Sequence, residues 1–268
     1  MSKIQPLQVQ SLAESFRMAE PFPFVCIDHF LDESFATEIA RSFPSFDDAQ
    51  GQGRMFESVN EHLKVQVTDH DQFPRPIAEL NRLLASAEFL EQLEAITGVR
   101  PLLADASLAG GGIHQTGPRG RLDVHVDFNQ LETTGWHRRL NILVYFNSDW
   151  KEDWGGELEL WDSKVKKLHH SFQPIHNRCV VFETNEMSFH GVEKVTCPTG
   201  KTRNSFAGYY YTAEAPDGWD GTSHNTIFKA RPSEPIKKIV LMPMDRVNRA
   251  AKDYYQKLKN AAKSALGR

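Results

Sequence analysis

Short apolar runs separated by turn residues fill the chain from about residue 99 to residue 212. The runs are rich in Val, Ile, Phe, Tyr, Trp and Leu, and Gly, Pro, Asn and Asp mark the turns between them. Many short strands at regular spacing are typical of antiparallel sandwiches and barrels. The predicted strands are 104–109, 112–116, 122–128, 139–147, 157–162, 168–173, 178–183, 190–196 and 203–212.

The residues before this segment have a mainly helical pattern. Apolar residues at three- and four-residue spacings predict helices, the longest of which is broken near Ser86 and ends at Gly98. Helices are predicted over 7–19, from the capping residue Asp32 to Phe43, and over 75–97, with a strand over 22–27 and a loop over 47–62. Helices followed by strands indicate an α+β fold rather than a βαβ repeat.

The residues after the predicted strands form a third segment. A loop rich in Pro and Gly leads to a basic helix predicted over 245–265, whose apolar stripe is more typical of a packed terminal helix than of a membrane-docking one. The predicted organisation is therefore a supporting region over 1–98, a β-rich core over 99–212 and an extension over 213–268.

Composition excludes several classes of protein. With 268 residues, 40% of them hydrophobic, the chain can bury one large core. A net charge of -4 gives no reason to expect a nucleic-acid partner. No stretch approaches the roughly 20 apolar residues that span a membrane, and no signal-peptide pattern opens the chain, so a cytoplasmic location is expected.

The cysteines fit the same expectation. Cys26, Cys179 and Cys197 are odd in number and widely spaced, so they predict reduced thiols rather than disulfides or a zinc ribbon. The sequence leaves the oligomeric state open.

The segment from Arg121 to Asn129, which reads RLDVHVDFN, carries the clearest chemistry. Alternate residues of a strand share a face, so His125 and Asp127 are expected to project together. One imidazole and one carboxylate are two ligands of the facial triad that leaves positions on Fe(II) open. His190, 65 positions after His125, is the best candidate for the third ligand.

A basic residue follows in another predicted strand. The guanidinium of Arg203 can form bidentate, charge-assisted hydrogen bonds with a carboxylate. Ser205 lies two residues further on and is expected to face the same way. Together they could hold the far carboxylate of a dicarboxylic molecule whose other end chelates the metal.

The order of these motifs resembles a known family. HxD at His125, the run from Arg139 to Trp150, the run from Trp154 to Leu160, His190 and Arg203-x-Ser205 are together similar to the prolyl-hydroxylase-like branch of the 2-oxoglutarate/Fe(II) oxygenases. The resemblance covers about residues 100–212. It implies a double-stranded β-helix (jelly-roll) core with supporting N-terminal helices.

The resemblance also implies roles for individual residues. His125, Asp127 and His190 match the iron ligands, and Arg203 with Ser205 matches the pair that binds the C5 carboxylate of 2-oxoglutarate. Three further residues of the cosubstrate pocket are implied: Tyr145, Asn141 and Leu158. Arg203 follows His190 by 13 residues, a little more than in some relatives, which puts the length of the intervening turn in doubt.

The implied activity is Fe(II)- and 2-oxoglutarate-dependent dioxygenation, in which O2 is consumed and an unactivated C–H is hydroxylated. Related halogenases have a small residue at the carboxylate position, so Asp127 implies hydroxylation. The substrate is open among prolyl or peptidyl groups, amino acids, sugars, lipids and natural-product intermediates. Residues near the metal motif that could face it are Arg121, Asn129, Trp136 and His137.

Two alternatives stay open on the sequence. A cupin-like metal enzyme would bind iron without 2-oxoglutarate and would have no use for Arg203 and Ser205. A non-catalytic jelly-roll module would recognise a ligand without turnover, and it would have no reason to keep the metal residues together with Arg203.

Overall fold

The structure is a computed structural model and describes residues 3–243. The helix predicted over 245–265 lies outside the described residues. The helices of the described part are α1 (Val9–Met18), α2 (Glu33–Ser42), α3 (Phe46–Gln52), α4 (Arg75–Leu84) and α5 (Ala87–Thr97). None of them combines the length and apolar character that a membrane crossing requires.

The helix ends follow the capping residues in the sequence. The Asp32 carboxylate accepts hydrogen bonds from the first backbone N–H groups of α2, as predicted. Ser86 caps α5 in the same way, and Gly98 ends that helix with a φ of 74°. The predicted break near Ser86 is therefore confirmed, because a serine at this position caps a new helix rather than continuing the old one.

The strands form one curled, antiparallel sheet. Their bounds are β1 (Phe24–Ile27), β2 (Arg54–Glu57), β3 (Glu61–Val67), β4 (Leu103–Ala104), β5 (Gly112–Val126), β6 (His137–Tyr145), β7 (Leu158–Trp161), β8 (Leu168–Phe172), β9 (Cys179–Glu183), β10 (His190–Val192), β11 (Arg203–Thr212) and β12 (Ile227–Phe228). The main path runs in the order β1-β9-β6-β11-β5-β10-β7-β8. Because β5 and β10 are adjacent on this path, two segments distant in sequence lie side by side.

The loop predicted over 47–62 was wrong. Ser45 caps the short helix α3, and the chain then enters the hairpin of β2 and β3. Strand β3 pairs with β5 from Glu61 to Val67. Its polar sequence gives little periodic signal, and the strand forms because β5 supplies its hydrogen-bonding partner.

Two strand predictions near the start of the core also need correction. The predicted strands 112–116 and 122–128 belong to one strand, β5, whose pairing with β3 shifts register between Thr116 and Arg121, where residues 117–120 bulge. The predicted strand 104–109 is reduced to β4. Asp105 ends it early, because its carboxylate accepts hydrogen bonds from the N–H groups of Ser107 and Ala109 and so stabilises a turn.

The hydrophobic core lies on both surfaces of the sheet. One cluster packs the helices on the outer surface and includes the fully buried residues Ile39, Ile77, Leu80, Ile113 and Ile142. A smaller cluster fills the inner surface beside the cavity and consists mainly of Phe22, Tyr145, Leu158, Leu160, Val180 and Phe182. Each such side chain contributes about 1.5–3 kcal/mol when it leaves water, so the sheet is held rigidly from both surfaces.

The residues from 227 to 243, called the C-terminal strap below, run back across the core. Its strand β12 pairs with the end of β5, with Phe228 opposite His125. The ammonium group of Lys237 lies 2.5 Å from the buried carboxylate of Asp123. The strap is thus fastened to the same strand that carries the HxD motif.

Candidate metal centre

His125 and His190 are directly opposite each other on neighbouring strands. The register of β5 and β10 pairs these two residues, and Asp127 follows one residue after the end of β5. Gly191 allows the strands to approach, since a Cβ at this position would lie 3.1 Å from the backbone of Val124. Sheet pairing therefore brings the HxD motif and the distant histidine together.

The three side chains form a compact group that could hold a metal ion. One ligand atom from each of His125, Asp127 and His190 lies within 4.8 Å of the others. Nε2 of His125 is 3.4 Å from Oδ1 of Asp127, and Nε2 of His190 is 3.4 Å from Oδ2. Two imidazoles and a carboxylate, with no thiolate, suit Fe(II).

Backbone carbonyls orient both imidazole rings. Nδ1 of His125 donates to the carbonyl of Asp123 at 2.8 Å, and Nδ1 of His190 donates to the carbonyl of Ser188 at 2.9 Å. With the proton on Nδ1, the lone pair of Nε2 is directed at the centre of the group. Both histidines are thus held in the tautomer that a metal ligand needs.

The protonation states also favour metal binding. Burial, and then the proximity of His125, lowers the pKa of His190 to about 3, so this ring is neutral near pH 7. Burial alone would raise the pKa of Asp127, but Arg138 and the two histidines outweigh it and hold that pKa well below its usual range. Metal ions bind neutral imidazoles and ionised carboxylates, which are the forms of His190 and Asp127 here.

Arg203 lies deeper in the same cavity as a buried cation. Its Nε donates to the carbonyl of Gly156 at 2.5 Å, and Nη1 lies 3.5 Å from Oγ of Ser205. Gly156 has a φ of 77°, and a Cβ there would lie 3.1 Å from the Arg203 side chain, so a glycine allows this contact. Burial lowers the pKa of the guanidinium.

Two buried polar atoms beside Arg203 lack partners. Nη2 of Arg203 and the hydroxyl of Tyr145 have no hydrogen-bond partner within residues 3–243. The Tyr145 ring lies 4.9 Å from Cζ of Arg203, and burial raises the pKa of its hydroxyl to about 12, so it keeps its proton. Buried donors without partners are costly, and these two are suited to a carboxylate in the cavity.

The cavity that joins the two groups has a volume of about 660 Å³. Of the residues that the sequence singled out, seven line it: His125, Asp127, His190, Arg203, Ser205, Asn141 and Leu158. Tyr145 is fully buried behind Arg203. The set inferred for the metal and for a dicarboxylate is therefore gathered in one place.

The residues suggested for substrate contact lie elsewhere. Arg121 donates to the carbonyl of Val59, and Asn129 is hydrogen-bonded to Glu186 and to the carbonyl of Thr222. Trp136 and His137 are also outside the lining of the cavity, and the ring of His137 packs against Trp219 at 4.5 Å. A substrate role for these four residues stays a prediction that their positions do not favour.

Several lining residues have no counterpart in the sequence predictions. The β2–β3 hairpin contributes Arg54, Phe56 and Lys64, other strands contribute His114, Arg138 and Tyr209, and the segment after β5 contributes Phe128. The hairpin was missed because its segment was predicted as a loop. One feature of the sequence could have indicated Arg138: it directly precedes Arg139, at the start of the motif that carries Asn141 and Tyr145.

Comparison with known proteins decides the family. The sequence profile of the 2OG-Fe(II) oxygenase superfamily matches residues 111–211, the stretch that holds His125, Asp127, His190 and Arg203. The chain carries a 2OG-Fe(II) oxygenase domain. This confirms the resemblance inferred from the motifs, and Fe(II), 2-oxoglutarate and O2 are the reactants that the family uses.

Two curated relatives of the oxygenase domain are prolyl hydroxylases. The prolyl 3,4-dihydroxylase OGFOD1 of Ostreococcus tauri is 27% identical over 214 residues, which are 72% of this chain and 38% of the relative. The prolyl 3-hydroxylase OGFOD1 of Mus musculus is 33% identical over 78 residues, 28% of this chain and 14% of the relative. The chain thus spans less than two fifths of the length of these relatives.

Solved structures show the same fold. A prolyl 4-hydroxylase from Phytophthora capsici aligns with a TM-score of 0.54 at 18% identity, over 93% of this chain and 78% of its own. A Trichoplax adhaerens prolyl hydroxylase in complex with a peptide fragment of hypoxia inducible factor aligns with a TM-score of 0.53 at 16% identity, over 76% and 90%. The predicted double-stranded β-helix is confirmed.

Proposed function

We propose that the protein is an Fe(II)- and 2-oxoglutarate-dependent dioxygenase that hydroxylates an unactivated C–H bond. One observation carries the proposal: the His125–Asp127–His190 group shares its cavity with Arg203, whose buried Nη2 has no partner within residues 3–243. A metal site alone would be compatible with many kinds of metal enzyme. A metal site beside a buried, unpaired guanidinium N–H is compatible with a cosubstrate that chelates iron at one end and carries a carboxylate at the other.

In this proposal the chain's own residues bind, orient and exclude water. His125, Asp127 and His190 would hold Fe(II) and leave positions open for the other reactants. Arg203, with the hydroxyls of Tyr145 and Ser205, binds the C5 carboxylate of 2-oxoglutarate. With both bound, O2 would serve as the oxidant: one oxygen atom would pass into succinate as 2-oxoglutarate loses CO2, and the other would become the hydroxyl group of the product.

Apolar side chains complete the pocket around the proposed cosubstrate. Leu143 and Leu158 line the same cavity as the metal group and Arg203. They keep water from this part of the site, which strengthens the pairing of Arg203 with a carboxylate. Asn141 lines the same wall and donates a hydrogen bond to Asp127 at 2.8 Å.

We propose a prolyl residue of a polypeptide as the substrate. The two curated relatives are named as prolyl hydroxylases, and one neighbour in fold is described with a peptide bound. The cavity of about 660 Å³ is large enough for a prolyl ring beside 2-oxoglutarate. A cytoplasmic location is part of the proposal and is supported by the free thiols of Cys26, Cys179 and Cys197.

Turnover by the full chain tests the proposal. Protein loaded anaerobically with Fe(II) is mixed with 2-oxoglutarate, O2 and a library of proline-containing peptides, and succinate release and a mass gain of one oxygen are measured. We expect peptide-stimulated succinate release that Asp127→Ala abolishes. Arg139→Met, which removes a charge outside the cavity lining, should retain it.

The alternatives predict different results. Iron binding without any succinate release would favour a cupin-like enzyme. Absence of Fe(II) binding by the folded protein would favour a binding module. Succinate release that other substrate classes stimulate and peptides do not would contradict only the prolyl assignment.

A further inference from the structure

The carboxylate of Asp127 is held on one side by two polar side chains. Asn141 donates its amide N–H to Oδ2 at 2.8 Å, and Nη2 of Arg138 lies 3.0 Å from the same oxygen. Arg138 also donates from Nε and Nη2 to the amide oxygen of Asn141, at 2.9 and 2.8 Å. The three side chains thus form a closed ring of hydrogen bonds and one ion pair around a single carboxylate oxygen.

This ring is rigid. The side chain of Arg138 is 2% exposed, and its guanidinium lies between two aromatic rings, 3.5 Å from the centre of Tyr209 and 4.7 Å from that of Phe128. The hydroxyl of Tyr209 donates to the carbonyl of Gly110 at 2.7 Å, which fixes one of these rings. A guanidinium stacked and hydrogen-bonded in this way has few alternative positions.

The two oxygens of Asp127 therefore differ. Each oxygen lies 3.4 Å from Nε2 of one candidate ligand, Oδ1 from that of His125 and Oδ2 from that of His190. Oδ2 in addition accepts the hydrogen bond from Asn141 and forms the ion pair with Arg138. These two contacts compete with a metal ion for the lone pairs of Oδ2, so Oδ1 is the oxygen better suited to coordination.

We propose that Arg138, together with Asn141, is a positioning residue that keeps Asp127 a one-oxygen ligand. The inference rests on the proposed function, since it concerns how the iron site accepts 2-oxoglutarate. Held by two histidines and one carboxylate oxygen, Fe(II) would keep open the positions that 2-oxoglutarate and O2 need. A carboxylate bound through both oxygens would take up one of these positions.

Metal and cosubstrate binding, measured separately, test this role. Wild type, Arg138→Met and the charge-neutral change Asn141→Ala are loaded with Mn(II), a redox-stable substitute for Fe(II). Calorimetry gives the affinity for Mn(II) and then the affinity of the loaded protein for 2-oxoglutarate. Arg139→Met is the matched control, because it removes the same charge one residue away, where Nη1 lies 3.5 Å from Oγ1 of Thr212.

We expect Arg138→Met and Asn141→Ala to bind Mn(II) at least as tightly as wild type. Each change removes a contact to Oδ2 of Asp127, so that this second oxygen can also bind the metal. Their affinity for 2-oxoglutarate should fall about tenfold, the lower end of the range seen when groups that orient a metal ligand are removed. A crystal structure of Mn(II)-loaded Arg138→Met should show both oxygens of Asp127 on the metal. Arg139→Met should match wild type in both affinities.

Other results would overturn the inference. Equal losses of Mn(II) and 2-oxoglutarate affinity would mean that Arg138 only supports the fold. Unchanged affinities with a raised KM for the substrate would mean that it binds substrate instead. One oxygen of Asp127 on Mn(II) in Arg138→Met would also refute it. If wild type binds neither Mn(II) nor 2-oxoglutarate, the proposed function itself fails.

Discussion

Arg138 and Arg139 are neighbours in strand β6 with different surroundings. Arg138 is buried in the wall of the cavity, whereas Arg139 is half-buried near Thr212. The pairing of β6 with β11 shifts register here, since Tyr210 pairs with Leu140 and Tyr211 with Arg138. An extra residue of this kind reverses the alternation of a strand and redirects a side chain, so Arg138 shares the inner surface with Asn141.

Arg203 is the residue whose substitution most directly tests cosubstrate binding. We expect Arg203→Met to raise the KM for 2-oxoglutarate about 100-fold, because a charge-assisted pair with a carboxylate is worth roughly 3 kcal/mol in a buried site. The change should reduce kcat much less, since Arg203 does not contact the metal group. Initial rates of succinate release over a range of 2-oxoglutarate concentrations give both constants.

A matched variant separates this role from a loss of positive charge in general. Lys64→Met removes a cation from the same cavity, but Lys64 is already paired with Glu61 at 3.1 Å. Its KM for 2-oxoglutarate should stay near that of wild type. If Arg203→Met leaves this KM unchanged, Arg203 does not bind the cosubstrate.

At the scale of elements, the C-terminal strap is fastened to strands that carry the metal group. Arg231 donates to the carbonyl of Val192 in β10 and pairs with Glu159 in β7 at 2.7 Å. Lys237 pairs with Asp123 in β5, and the carbonyl of Asp123 orients His125. The strap therefore holds three adjacent strands together behind the candidate site.

Removing the ammonium group of the strap should destabilise the protein. Lys237→Met leaves the buried carboxylate of Asp123 with Arg231 at 3.6 Å and Arg121 at 3.7 Å. Because these two cations still interact with Asp123, we expect the free energy of unfolding to fall by about 2 kcal/mol. This is less than the fall expected for a buried carboxylate that loses every cationic partner. Urea denaturation measures the free energy of unfolding, and Lys164→Met, which changes an exposed lysine, is the control. Equal denaturation midpoints for the two variants would show that the ion pair does not stabilise the protein.

A pH-sensitive contact lies beside one end of the paired strands β7 and β10, between Glu157 just before β7 and Glu193 just after β10. The N–H of Glu193 donates to the carbonyl of Glu157 at 3.0 Å, so the two side chains are neighbours. A shared hydrogen bond with the Glu157 carboxyl, and then partial burial, raises the pKa of Glu193 from 4.5 to about 7. The folded protein therefore holds this proton more tightly than the unfolded chain does.

The sign of the pH dependence follows from that difference. The contribution of Glu193 to stability is greatest below pH 4.5 and falls as the pH rises to about 7, above which it is constant. We expect Glu193→Gln to raise the melting temperature relative to wild type at about pH 8 and to change it little at about pH 5. Melting curves at both pH values test this against Glu132→Gln in an exposed loop, and an equal effect at both would contradict it.

At the scale of the whole molecule, the fold brings two distant segments, which carry His125 with Asp127 and His190, to one metal site, so ligand binding and folding are coupled. Saturation with Mn(II) and then 2-oxoglutarate should stabilise the protein by about 2.7 kcal/mol for each ligand present at 100 times its dissociation constant. For a domain of this size that corresponds to a rise in melting temperature of roughly 5–10 °C per ligand. Differential scanning fluorimetry with and without each ligand measures the shifts.

The matched variant for this coupling is Asp127→Ala, which removes one of the three ligands. It should remain folded, since the cores on both surfaces of the sheet are intact, and its melting temperature should not respond to Mn(II). A metal-dependent shift as large as that of wild type would show that the ion binds elsewhere.

The sequence by itself determined where most helices and strands form and which residue types could bind a metal ion and a carboxylate. Apolar periodicity and capping residues placed α1, α2, α4 and α5, and alternation placed most strands of the core. The strand period put His125 and Asp127 on one face, and the ordered motifs pointed to His190 and Arg203 as their partners. These features depend on spacing within a segment, which a sequence states directly.

Only the tertiary structure decided what depends on pairing between segments. The hairpin of β2 and β3 exists because β5 is its partner, and its own residues 54–67 have too little periodicity to predict it. A register shift brought Arg138 to Asp127 in place of Arg139. Hydrogen bonds between distant strands fix such registers, and one inserted residue reverses which side chains face the cavity, so no pattern within a single strand could have shown them.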